Sequence, residues 1–69
     1  MPETSIILNG ERRDIAGEVD LETLVNDLDL PSKRLAVELN GAVVRRTDWP
    51  QTKVSDGDRI EVVHFVGGG

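Results

Sequence analysis

Sixty-nine residues make one small domain, near the lower limit at which a chain buries a core without disulfides or metal, hiding about 60% of its unfolded surface. The lack of cysteine excludes a disulfide framework, a thiolate nucleophile and a cysteine-based zinc site, and makes the cytoplasm the expected compartment. Thirteen acidic residues against eight basic give a net charge of −5, which disfavours nucleic acid and anionic lipid as partners and fits a basic protein better.

The chain opens Met1-Pro2-Glu3-Thr4-Ser5, with neither a basic, apolar signal segment nor a run long enough to span a bilayer, so a soluble product with no membrane partner is expected. Ser5-Ile6-Ile7-Leu8 and Glu11 to Ile15 flank Asn9-Gly10, a dipeptide suited to a two-residue type I′ turn, and predict a β-hairpin. Gly17 breaks that pattern. Leu21, Leu24, Val25 and Leu28 then follow the i, i+3, i+4, i+7 spacing of one apolar helical face. Asp20 is placed to cap this helix, Val19 to staple onto Leu24, and Glu22 to complement the positive end of the dipole; Pro31 is expected to end it.

Leu35, Val37 and Leu39 alternate with Ala36 and Glu38 as a half-buried strand, and Asn40-Gly41 offers a second turn before Ala42-Val43-Val44. Thr47-Asp48-Trp49-Pro50 reads as a short turn or helical bend, and Ser55-Asp56-Gly57-Asp58 as the turn that launches a last strand over Arg59 to Val66. The order is β-β-α-β-β-β. One amphipathic helix must cover one face of a mixed four- or five-stranded sheet, which predicts an α+β, β-grasp architecture for residues 1–66.

Parity sorts the last strand. Ile60, Val62, His64 and Val66 share one face, and Glu61, Val63 and Phe65 the other. A carboxylate is rarely buried unpaired, so the face of Glu61 is the outer one, and Val63 and Phe65 are expected to be exposed and to dock a partner. Beyond this strand come Gly67-Gly68-Gly69. Glycines without side chains to pack predict a flexible tail, costing roughly 3–6 kcal/mol to immobilise and reaching about 10 Å, slim enough to carry a terminal carboxylate down a narrow channel in another protein.

His64, the sole histidine, has no acid, base or nucleophile tied to it by spacing and reads as structural. Trp49 reads as a packing plug beside Pro50, and Asp48, Asp56 and Asp58 as turn chemistry, with no metal assigned. The pairs Arg12-Arg13, Lys33-Arg34 and Arg45-Arg46 read as solvated strand or loop edges.

Several segments together carry a family resemblance: Val19-Asp20-Leu21-Glu22-Thr23-Leu24-Val25, Val37-Glu38-Leu39-Asn40-Gly41, the Val44 to Trp49 spacing, Asp56-Gly57-Asp58 with Ile60-Glu61, and the closing Val66-Gly67-Gly68-Gly69. Over nearly its whole length the chain resembles the ThiS sulfur carriers of thiamin biosynthesis, a MoaD-related family with the ubiquitin-like β-grasp fold. Arg45 stands where many members have proline, a departure confined to a loop. The resemblance implies that a ThiF-like, E1-like adenylyltransferase consumes ATP to activate the Gly69 carboxylate, and that a sulfur donor acting through a sulfurtransferase converts it to a thiocarboxylate. A ThiG-like thiazole synthase would then accept the sulfur. Gly67 and Gly68 would give slim passage, Val63 and Phe65 would dock the activating enzyme, and the chain would be a co-substrate that holds no cofactor of its own. Rival readings are a MoaD-like small subunit of molybdopterin synthase, a sulfur carrier of another pathway, and a non-covalent ubiquitin-like interaction module.

Overall fold

The computed structural model describes residues 3–28 and 34–64. Strands β1 (Glu3–Leu8) and β2 (Glu11–Ala16) form the first hairpin. Asn9 and Gly10 take φ of 50° and 82°, the two positive values that a type I′ turn requires. A two-residue strand β3 (Val19–Asp20) leads into helix α1 (Leu21–Asp27). Strands β4 (Leu35–Leu39) and β5 (Ala42–Val44) make a second hairpin, in which Asn40 and Gly41 repeat the positive-φ pair at 53° and 88°. A 3₁₀ helix (Arg46–Gln51), a short β6 (Lys53–Val54) and the last strand β7 (Arg59–His64) complete the described chain.

The main sheet has the order β2-β1-β7-β4-β5, so the last strand lies at the centre, parallel to β1 and antiparallel to β4. This is the expected α+β arrangement, with five strands in the main sheet. A second ladder joins β3 to β6 through Val19↔Val54 and Asp20↔Lys53. The sequence reading assigned no strand to either segment, since two residues are too few for alternation to show. Charged side chains occupy the outer strand β2, with Glu11, Arg12, Arg13 and Asp14 all exposed, which discourages edge-to-edge association.

Helix α1 is only seven residues long, too short to hold in water alone, and is stabilised by burying Leu21, Leu24 and Val25 against the sheet. They meet Ile6, Leu8, Val37, Ile60 and Val62 in one core, each full burial contributing about 1.5–3 kcal/mol. Val19 and Leu28 pack on its margin, and Pro31 lies outside the described residues. Trp49 plugs the end of the core at 3% exposure; its Nε1–H donates to the Val44 carbonyl at 3.0 Å, and the Arg46 guanidinium lies 5.3 Å from the ring centroid. Thr4 is the buried polar side chain of β1, and its hydroxyl donates to the Gly17 carbonyl at 2.8 Å.

Asp20 caps the helix as expected, its Oδ1 accepting the Thr23 N–H at 2.7 Å. That backbone hydrogen bond is the main reason its carboxyl is held below the ordinary value of 3.8. A depressed folded-state pKa means that the ionised cap stabilises the fold above the unfolded value, and that this contribution is lost as pH falls through the folded one. D20N keeps a capping oxygen but does not titrate. Thermal melts between about pH 5 and pH 2 should therefore show the parent midpoint falling more steeply than that of D20N; parallel slopes would refute the assignment.

Candidate functional site

Strand β7 is the last described element before the closing glycines of the sequence, so what holds β7 fixes the point at which the described chain ends. Its first half is gripped on both sides: Ile60 stands opposite Leu8 of β1 and opposite Leu39 of β4. Each of those leucines is followed by an Asn-Gly turn, and each asparagine reaches back to β7. Asn9 Oδ1 accepts the Val62 N–H at 2.8 Å, continuing the parallel pairing one step beyond the end of β1. Asn40 Oδ1 accepts the Arg59 N–H at 2.9 Å, while its Nδ2 donates to Asp58 Oδ1 at 3.0 Å. The repeated Leu-Asn-Gly is thus a matched pair of clamps about the central strand. Sequence reading identified both turns but not these side-chain contacts, whose partners are 53 and 19 residues away.

The faces of β7 follow the expected parity. Ile60 and Val62 are buried, whereas Glu61 and Val63 are exposed, Val63 at 50%. His64 has inward parity yet is exposed, opposite Leu35 at the start of β4. The outer face also includes Val43, 71% exposed on β5, and the half-buried Glu38 on β4; neither was singled out from the sequence, although the alternation of β4 implied the outward position of Glu38. Phe65, Gly67, Gly68 and Gly69 lie outside the described residues, as does the boundary expected after residue 66.

The acidic turn is occupied with backbone bonding. Asp56 Oδ1 accepts the Ser5 N–H at 2.7 Å, and Asp58 Oδ2 accepts the Ser55 N–H at 2.7 Å. Asp48 lies away on the 3₁₀ helix, where its carbonyl accepts the Thr52 hydroxyl. Among the described residues no group of three His, Asp or Glu side chains could hold a metal ion, and no helix is long and apolar enough to cross a membrane. What the geometry offers is a clamped central strand, an outer sheet face with exposed valines, and a chain continuing into three glycines.

The profile of the ThiS family matches residues 6–69, including those glycines. The chain belongs to the ThiS family. It is 34% identical over 65 residues to the sulfur carrier protein ThiS of Bacillus subtilis, covering 90% of this chain and 96% of that one. The crystal structure of the thiamine biosynthesis protein ThiS from Geobacter metallireducens superposes with a TM-score of 0.84 at 32% identity, covering 96% of this chain and all of the other. A thiazole synthase of Paramagnetospirillum magneticum is 38% identical over 64 residues, 93% of this chain; the chain spans only 20% of that protein's length. ThiS membership makes the chain a sulfur carrier rather than a catalyst, and the ThiS structure confirms the expected β-grasp fold.

Proposed function

We propose that this chain delivers sulfur for thiazole formation in thiamin biosynthesis as a thiocarboxylate on Gly69. The observation that carries the reading is the family match running through the closing glycines, on a fold whose last described strand lies at the centre of the sheet. A carboxylate resists nucleophilic attack because its leaving group would be oxide or hydroxide. Attack of the Gly69 carboxylate on the α-phosphorus of ATP, catalysed by a ThiF-like enzyme, expels pyrophosphate and leaves an acyl adenylate. Sulfide, or a sulfurtransferase persulfide followed by thiol cleavage of the resulting acyl disulfide, then displaces AMP. The product is a soft nucleophile that presents sulfur at the end of a protein.

Gly67 and Gly68, having no Cβ, suit a narrow channel, and Val63 with Phe65 would seat the activating enzyme. A thiazole synthase that carries a similar unit within its own chain supports a ThiG-like synthase as the acceptor. Intact mass spectrometry after incubation with ATP, a ThiF-like enzyme and a sulfur source should show one oxygen replaced by sulfur. An unchanged mass with an enzyme that charges another carrier would sink the reading. Val63→Lys tests the docking face: its thermal midpoint should stay close to that of the parent because the side chain is half exposed and lysine adds no like charge beside Glu61, while charging should slow about tenfold or more. Equal charging rates would remove Val63 from the interface.

A further inference from the structure

The outer sheet face combines apolar and acidic groups in a way the fold itself does not require. Register places Glu38 of β4 directly opposite Glu61 of β7, and Val43 of β5 opposite Glu38, so the row Glu61–Glu38–Val43 crosses three strands. The neighbouring row pairs Val63 with Ala36. Directly opposed side chains have Cβ atoms about 4.5–5.5 Å apart, and like charges at that separation destabilise a sheet. Among the described residues neither carboxylate has an ion pair or a hydrogen bond, although Arg59 shares their face two residues before Glu61. An open hollow of about 540 Å³, lined by Ile7, Asn9, Gly10, Arg59 and Glu61, borders Glu61 on the β1 side of the strand.

We propose that this face receives an arginine of the activating enzyme between Glu38 and Glu61, with Val43 and Val63 seated against apolar side chains around it. The inference rests on the reading of the chain as the co-substrate of such an enzyme. Charge selects the occupant. A second copy would bring four carboxylates face to face, and a polyanion is repelled both by this pair and by the net charge of −5. A guanidinium has five donors in a planar fork, enough to bond both carboxylates, and flanking valines that exclude water strengthen those bonds. Two carboxylates that lack a partner in the free protein gain a shared one in the complex.

The test is the E38Q/E61Q double variant of the full chain, with the single variants E38Q and E61Q alongside. Removing like-charge repulsion should raise the thermal midpoint of the free protein by about 1–8 °C. Removing charge-assisted bonds should weaken calorimetric binding to the ThiF-like enzyme about 10- to 100-fold and flatten its salt dependence. Opposite signs in stability and affinity are the signature, and a merely structural role would not produce them. If the parent is charged and the variants bind as tightly as it does, the carboxylate proposal is overturned and the carrier reading stands. If the parent neither binds nor gains sulfur with a competent enzyme, both fall. Parent self-association abolished by the double variant would also overturn the proposal, assigning the face to a second copy.

Discussion

Deleting Gly68 and Gly69 is expected to abolish sulfur charging while leaving the thermal midpoint unchanged within error. The new terminus would still be a glycine carboxylate, so its intrinsic reactivity is preserved; what changes is position. Two residues span about 7 Å at ~3.3–3.6 Å each, and a displacement of about 1 Å can already cost on the order of 100-fold in a reaction that depends on alignment. The fold should not register the loss. The buried apolar residues described lie between Ile6 and Val62, and the last described ladder pair is Leu35↔His64. Charging followed by intact mass, with melts in parallel, checks both halves. Retention of sulfur charging by the truncated chain would remove Gly69 from the mechanism, whereas a non-covalent interaction module would keep its binding and show no charging in either form.

Trp49→Ala is expected to have the largest effect on stability. The side chain is 3% exposed, closes the core beside the 3₁₀ helix, and joins that helix to β5 through the Nε1–H bond to Val44. Truncating a buried tryptophan costs about 3–5 kcal/mol, from lost transfer energy and the cavity left behind. Small domains have total stabilities toward the lower end of about 5–15 kcal/mol, so most of the margin disappears. Urea denaturation should show the midpoint falling by more than half, with much of the variant unfolded near body temperature. Trp49→Phe should fall between: it retains a ring beneath Arg46 but leaves the Val44 carbonyl without its donor, at about 1–3 kcal/mol. An alanine variant as stable as the parent would show that the site collapses around the gap.

The elements readable in the sequence share one property: their signals are local. Asn9-Gly10 and Asn40-Gly41 are hairpin turns because both central positions need positive φ, and the spacing of Leu21, Leu24 and Val25 marks a helical face without reference to a partner. The parity of β7 was legible because one charged residue, Glu61, orients a strand whose period is two. Segments that depend on distant pairing were not legible. Val19–Asp20 and Lys53–Val54 become strands because they meet each other, and the clamping roles of Asn9 and Asn40 require the chain to return.

Sequence alone thus determined the turns, the helix and the sidedness of the last strand, because each is written in the spacing or chemistry of neighbouring residues. Only the tertiary structure decided that β7 runs at the centre of the sheet between two Leu-Asn-Gly clamps, and that Glu38, Glu61, Val43 and Val63 share one outer face. Strand order and register are choices among competing long-range pairings. They are settled by which arrangement buries Ile60 and Val62 under the helix while satisfying the backbone on both sides.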